Sequence, residues 1–212
     1  MANIEKDLTG HRLLTFLALG DSYTIGESVS PKENFPSQVA LLLRKKGFKI
    51  ADPHIIAKTG WTTNELADAI LKENITTTYD LVTLLIGVNN QYRNESIEVY
   101  QNQFEGLLKS AIQFAGNKKE HVIVLSIPDW GATPFAENRD RKQITKKINE
   151  FNICNKQIAD SLGIHYINIT AGSHLSITDK SLIASDGLHP SGKEYTRWAS
   201  QVVTIFFSHF HP

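Results

Sequence analysis

Residues 81–86 read Leu81-Val82-Thr83-Leu84-Leu85-Ile86, an apolar run that only Thr83 interrupts. A strand with one face in water alternates polar and apolar residues. An almost continuous apolar run is instead typical of a strand covered on both faces, as in a parallel sheet. Together with residues 81–88, four other short runs rich in leucine, isoleucine or valine predict five strands: residues 13–19, 50–57, 121–127 and 164–169.

Helical periodicity fills the segments between and after these runs. Apolar residues recur at intervals of three and four in five segments: residues 34–46, 63–72, 96–114, 140–162 and 191–207. Because strand and helix alternate, we expect right-handed βαβ units, which build a parallel sheet with helices on both faces. The sequence therefore predicts a three-layer α/β/α, flavodoxin-like fold, with five parallel strands in the order 2-1-3-4-5 and a single domain over residues 1–212.

The composition is that of a folded protein without a strong charge bias. Hydrophobic residues make up 41% of the 212 residues, and 22 Lys+Arg balance 22 Asp+Glu. A protein with zero net charge lacks the excess of positive charge that is typical of proteins that bind nucleic acids or anionic membranes. We therefore expect no nucleic-acid partner. The single cysteine, Cys154, excludes an intrachain disulfide and a cysteine-rich metal site.

No apolar stretch reaches the length of a transmembrane helix. The run at residues 13–19, preceded by His11 and Arg12, is short for the core of a signal peptide, and cleavage after it would remove the first predicted strand. We therefore expect a cytoplasmic protein, with a secreted form left open. The sequence does not indicate the oligomeric state.

The predicted strand order places a binding site. Strands 1 and 3 become neighbours at the switch point of the sheet, and ligands bind beyond the carboxyl ends of such strands. Those ends carry two small, polar, glycine-led segments, Gly20-Asp21-Ser22-Tyr23-Thr24 and Gly87-Val88-Asn89-Asn90-Gln91. The loops at residues 128–138 and 171–190 are expected on the same edge.

Ser22, Asp186 and His189 are candidates for nucleophilic catalysis. Ser22 directly follows the first predicted strand, where it is either a nucleophile or the N-cap of a helix. Asp186 precedes His189 by three residues, so one tight turn can present both side chains. The carboxylate then orients one imidazole nitrogen and leaves the other to face a serine. The alternative is an Asp-Gly turn followed by an incidental surface histidine.

Gly60 and Asn89 are candidates for stabilising an oxyanion. Gly60 follows the second strand, and without a Cβ it allows a substrate to approach its backbone N–H. Asn89 follows the third strand and carries an amide that can donate. Each is also explained by loop formation alone.

The loop after the fourth strand carries Trp130 and Phe135, which either line the pocket or pack the loop onto the core. After this loop in the sequence, five basic residues are expected to form a solvent-exposed helix face: Arg139, Arg141, Lys142, Lys146 and Lys147.

Taken in order, these segments resemble the four sequence blocks of the GDSL/SGNH hydrolases. Gly20-Asp21-Ser22-Tyr23 matches the nucleophile block, with Tyr23 in place of the usual leucine. Gly60 matches the second block. Gly87-Val88-Asn89-Asn90 matches the third, with Asn90 in place of aspartate. Asp186-Gly187-Leu188-His189 matches the last. The resemblance spans residues 20–189.

The resemblance implies a Ser22 nucleophile, a His189 base oriented by Asp186, and an oxyanion hole from the backbone N–H groups of Ser22 and Gly60 and the side chain of Asn89. It implies a serine esterase that needs no cofactor or metal. Because no long hydrophobic lid is evident, we expect a small-molecule ester as substrate, such as an O-acetyl group on a carbohydrate, with Trp130 and Phe135 as candidate contacts.

Other functions remain open from sequence alone. A lysophospholipase, a thioesterase or a peptidase-type acyl hydrolase would use the same triad. A flavodoxin-like domain could also bind a carbohydrate or nucleotide without catalysis. However, neither Gly-x-Gly-x-x-Gly nor a phosphate-loop Gly-Lys-Ser/Thr occurs in the chain.

Overall fold

The structure is a computed structural model that describes residues 12–209. His11, which precedes the run considered above as a signal peptide, and both ends of the predicted domain lie outside the described residues. The sheet has five parallel strands: β1 (Phe16–Asp21), β2 (His54–Lys58), β3 (Leu81–Leu85), β4 (Val122–Leu125) and β5 (His165–Ile167). Their order is β2-β1-β3-β4-β5, which confirms the predicted topology.

The central strands are buried on both faces. All five residues of β3 are buried, and β1 pairs with β2 on one side and with β3 on the other. Strand β2 is partly exposed, because it lies at an edge of the sheet. This burial explains why the apolar run at residues 81–86 does not alternate.

In the described part of the chain, five helices of eleven or more residues cover the sheet: α2 (Phe35–Lys45), α3 (Thr63–Glu73), α5 (Ile97–Phe114), α6 (Arg141–Leu162) and α8 (Gly192–His209). Helices α2 and α8 pack together, and α5 packs against α3 and α6. Their starts follow from side-chain caps. The Asn34 carboxamide oxygen accepts from Ser37 N–H at 2.8 Å, and a Thr62–Glu65 capping box opens α3.

Three short helices have no counterpart among the five predicted helical segments: α1 (Ser22–Ile25), α4 (Val88–Tyr92) and α7 (Thr170–Leu175). The sequence leaves a helix at Ser22 open as an alternative to a loop, and each of the three is too short to show an apolar period. Residues 130–132 and 134–136 also form single turns of 3-10 helix.

The apolar runs overestimate the strand lengths because burial extends beyond the hydrogen-bonded ladder. Ile127, for example, is fully buried, but its N–H donates to the Asn152 side-chain oxygen at 2.7 Å rather than to a neighbouring strand. Within residues 12–209, no helix combines the length and the apolar character needed to cross a bilayer.

Candidate active site

Ser22 lies at the carboxyl end of β1 as the first residue of α1. Asp21 caps this helix, because its Oδ1 accepts from the Tyr23 N–H at 3.0 Å. The alternative in which Ser22 serves as the N-cap is therefore wrong, and its hydroxyl is free for another partner. Gly26 ends the helix after four residues with a left-handed φ of 77°.

Ser22 contacts His189, which lies 167 positions further along the chain. The distance from Ser22 Oγ to His189 Nε2 is 2.9 Å, and the distance from His189 Nδ1 to Asp186 Oδ2 is 2.6 Å. Both Ser22 and His189 are buried, with 5% and 6% of their surfaces exposed. The structure thus brings together all three residues that the sequence predicted as a triad.

Asp186 is held by four donors. Its Oδ1 accepts from the backbone N–H groups of Leu188 and His189, at 2.9 and 3.0 Å, which is the tight turn expected from the three-residue spacing. Its Oδ2 accepts from His189 and also from Ser28 Oγ at 2.8 Å. Partial burial raises the pKa of this carboxyl, but the hydrogen bonds outweigh burial and hold the pKa at about 2. Asp186 is therefore ionised at neutral pH.

Gly60 and Asn89 line the same cavity as Ser22 and His189. Gly60 has a φ of 85°, which only glycine adopts without strain, and the Arg93 guanidinium donates to its carbonyl oxygen at 2.6 Å. Asn89 Nδ2 donates one hydrogen to the Trp61 carbonyl at 2.9 Å. The hydrogen bond from Arg93 fixes the Gly60 backbone, and the hydrogen bond to Trp61 orients the Asn89 amide. Within residues 12–209, the second hydrogen of Asn89 Nδ2 has no partner and can donate to a ligand.

Tyr23 and Asn90, the two residues that depart from the family pattern, are both buried beside the site. Asn90 Oδ1 accepts from Thr63 N–H at 3.1 Å, and its Nδ2 donates to Thr63 Oγ1 at 2.6 Å and to Glu95 Oε2 at 2.8 Å. An ionised aspartate could not donate these last two bonds. The buried Tyr23 ring packs 5.1 Å from the His189 ring, centroid to centroid, and so supports its position.

Three aromatic side chains, linked by ring contacts through Trp130, also line the cavity and are called the aromatic wall below: Tyr92, Trp130 and Phe135. The Trp130 ring centroid lies 5.4 Å from that of Tyr92 and 6.0 Å from that of Phe135. Trp130 is buried and its Nε1 donates to Gln91 Oε1 at 2.7 Å, whereas Phe135 is 40% exposed. The structure places both predicted aromatic residues at the cavity, and Trp130 also packs the loop.

Sequence reasoning missed Tyr92, Ser28 and Arg93. Tyr92 lies three residues after Asn89 on α4, so a predicted helix there would have placed both side chains on one face. Ser28 and Arg93 carry no comparable signal, because each contacts a residue far away in sequence.

The site cavity has a volume of about 160 Å³. A larger cleft of about 680 Å³ lies along α6, lined by residues such as Lys142 and Ile153, and includes neither Ser22 nor His189. We assign the candidate site to the smaller cavity, since chemistry requires the serine, the imidazole and the donors within reach of one atom.

The parallel sheet, its strand order and its helical layers are the fold of the SGNH hydrolases. The match of this chain to the model of the GDSL-like lipase/acylhydrolase family covers residues 18–197, and the chain belongs to that family. It is accordingly a carboxylic ester hydrolase.

Solved structures with the same fold carry related descriptions. A lipase/acylhydrolase from Enterococcus faecalis is 20% identical, with a TM-score of 0.71 over 94% of this chain and 98% of that chain. The lipase Lip_vut3 from a goat rumen metagenome is 21% identical, with a TM-score of 0.72 over 91% and 97%. An acetyl xylan esterase, AlAXEase, is 14% identical, with a TM-score of 0.72 over 90% and 98%. A search of curated protein sequences found no match.

Proposed function

We propose that this protein is a serine esterase that hydrolyses small carboxylic esters through an acyl-enzyme on Ser22. The observation that carries the proposal is the continuous contact from Ser22 Oγ to His189 Nε2 and from His189 Nδ1 to Asp186 Oδ2. A serine hydroxyl becomes a nucleophile when a base within hydrogen-bond reach takes its proton and a third group orients that base.

Acylation begins when Ser22 Oγ attacks the ester carbonyl carbon while His189 Nε2 takes the hydroxyl proton. The tetrahedral intermediate then collapses, the bond to the alkoxy oxygen breaks, and the imidazolium protonates the leaving alcohol. In the second half, water attacks the acyl-enzyme and gives its proton to His189. The acid leaves, and Ser22 recovers its proton. The ionised Asp186 stabilises the imidazolium in both halves.

The oxyanion is stabilised by the backbone N–H groups of Ser22 and Gly60 and by Asn89 Nδ2. Donors aimed at the developing charge lower the barrier, and one such donor contributes about 3–4 kcal/mol. The proposal is supported by Gly60 and Asn89 lining the Ser22 cavity and by the bonds from Arg93 and to Trp61, which fix this loop before substrate arrives.

The cavity volume favours a short acyl group. At about 160 Å³, the cavity is well below the roughly 300–1,000 Å³ of a typical pocket for a drug-sized ligand. The aromatic wall suits the face of a sugar ring. We therefore propose O-acetyl groups on carbohydrates as one substrate class, as in the acetyl xylan esterase that shares the fold.

The test is a panel of aryl and sugar esters that varies acyl length and alcohol and includes a thioester and an anilide. Ser22→Ala is expected to lose all turnover and labelling by a fluorophosphonate probe. Its melting temperature is expected to stay within about 2 °C, because only one hydroxyl is removed. Ser110→Ala, at a half-buried serine of α5 whose Oγ donates to the Gly106 carbonyl oxygen, is the matched control.

Retained activity in Ser22→Ala would contradict the mechanism. Faster cleavage of long-chain esters, thioesters or anilides than of acetates would contradict the substrate class but not the triad.

A further inference from the structure

Arg139 contacts all three rings of the aromatic wall. Its guanidinium carbon is 5.5 Å from the ring centroid of Tyr92, 5.5 Å from that of Trp130 and 5.0 Å from that of Phe135. All three rings also line the cavity of Ser22. The prediction that this basic segment is only a solvated face is therefore incomplete, since Arg139 is held by the wall of the candidate site.

The guanidinium of Arg139 has no carboxylate partner within the described residues. Its one hydrogen bond there is to Tyr92 Oη, at 3.4 Å. Arg141 differs, since it donates to the carbonyl oxygens of Thr133 and Ala136 at 3.1 and 3.3 Å. Ring contacts restrain the guanidinium of Arg139 but leave most of its N–H donors available for an anion.

A second cavity, lined by Arg139, shares Tyr92 and Trp130 with the catalytic one. It measures about 390 Å³. Its charged residues are Arg139, Lys147 and Asp140. The Asp140 carboxylate accepts from the Gln143 N–H at 3.0 Å as the N-cap of α6. Two cations against one capped carboxylate leave the cavity positive.

The catalytic cavity is too small for a bulky alcohol group, so the alcohol part of such an ester must lie outside it. Phe135 lines this cavity, is exposed and contacts the exposed Arg139, so it offers a surface along which a bulky alcohol can reach Arg139.

We propose that Arg139 and Lys147 form an anion-binding subsite for the alcohol part of the substrate, so that the enzyme prefers esters whose alcohol carries a carboxylate or phosphate. This preference rests on the proposed esterase function and names its substrate class more narrowly. A guanidinium edge binds the two oxygens of either group in the same geometry, and the experiment below separates the two sources.

The test compares para-acetoxybenzoate and para-acetoxyphenyl phosphate with the neutral para-acetoxybenzamide, by release of the phenol. Arg139→Met is expected to lower the ratio of kcat/KM for the anionic esters to that for the amide by about tenfold, and Arg139→Lys by less. Because each ratio is compared with that of the unaltered protein, the intrinsic reactivity of the esters cancels. A loss for only one anion identifies carboxylate or phosphate as the group bound.

Lys142→Met is the matched control, because it removes the same charge three positions away but lines the other cleft along α6. It is expected to leave both the rates and the ratio unchanged. A ratio in Arg139→Met within about twofold of that of the unaltered protein overturns the subsite. An equal fall in Lys142→Met does so as well, because it would show a diffuse field instead.

A binding measurement keeps the subsite separate from catalysis. Para-hydroxybenzoate and para-hydroxyphenyl phosphate are titrated into Ser22→Ala and into Ser22→Ala/Arg139→Met, with quenching of tryptophan fluorescence as the readout. We expect the dissociation constant of at least one anion to rise about tenfold when Arg139 is replaced. If no ester were cleaved, the proposed function would fail, and equal binding to both variants would still refute the subsite.

Discussion

Replacing Asp186 by asparagine tests the geometry of the site most directly. Asp186 Oδ1 accepts two backbone N–H groups, and Oδ2 accepts from His189 and Ser28. In Asp186→Asn, the amide oxygen must occupy the Oδ1 position, because an NH₂ group there would face two donors. The NH₂ group then faces His189 Nδ1 and donates to it.

The consequence is an imidazole in the wrong tautomer. Because an ionised carboxylate only accepts, His189 Nδ1 carries a hydrogen in the unaltered protein, and Nε2 is free to take the proton of Ser22. With a donor at Nδ1, the hydrogen moves to Nε2, which can no longer act as the base. The expected loss in kcat is about 10⁴-fold, equivalent to about 5.5 kcal/mol in the barrier.

The assay is hydrolysis of an aryl acetate under saturating conditions, together with thermal unfolding. The melting temperature is expected to change little, because asparagine retains the two backbone hydrogen bonds. Asp179→Asn is the matched control. Asp179 is an exposed carboxylate seven positions earlier that pairs with Lys193 and caps a single turn at Ser181, so its replacement should leave kcat unchanged.

The reasoning is refuted if Asp186→Asn keeps more than about a tenth of the unaltered kcat, because a wrong tautomer cannot support that rate. An equal loss in Asp179→Asn would show instead that the whole segment, rather than the contact with His189, was disturbed.

Three further substitutions have defined outcomes. Asn89→Ala removes an oxyanion donor and should lower kcat by about 10²–10³-fold with a smaller change in KM, and steady-state kinetics will show whether KM changes instead. Asp21→Asn tests a carboxyl that burial gives a raised pKa of about 7. The buried Asp21 carboxylate destabilises the folded protein increasingly as pH rises from about 4 to about 7. Asp21→Asn should therefore be more stable than the unaltered protein at about pH 8, by at most about 4 kcal/mol, and equally stable near pH 4. A less stable variant at the higher pH would contradict this sign. Gly20→Ala places a Cβ 2.5 Å from the backbone oxygen of Leu85 and should destabilise the fold by about 2–3 kcal/mol in urea denaturation.

Local sequence patterns were sufficient for the long elements. The predicted helices at residues 34–46 and 140–162 begin and end within one residue of α2 and α6, because caps at Asn34 and Asp140 coincide with the apolar period. They were insufficient for α1, α4 and α7. One or two turns present too few side chains for a period to show, and tertiary contacts decide whether such a segment is helical.

The sequence by itself determined the strand order and the edge of the sheet that carries the site. Alternating apolar periods fix the elements, the handedness of parallel crossovers restricts their arrangement, and the ends of β1 and β3 are thereby placed side by side. It also singled out Ser22, Gly60, Asn89, Asp186 and His189, whose positions follow directly from strand ends and one tight turn.

Only the tertiary structure decided the groups that surround these residues. Ser28 reaches Asp186 from a left-handed backbone conformation with a φ of 65°, and Arg93 reaches Gly60 from 33 positions away. Arg139 is packed on three rings from two separate segments. Such contacts depend on the path of each loop through space. A loop has no repeating pattern of side chains, so its path is set by the packing of the finished fold and cannot be inferred from periodicity.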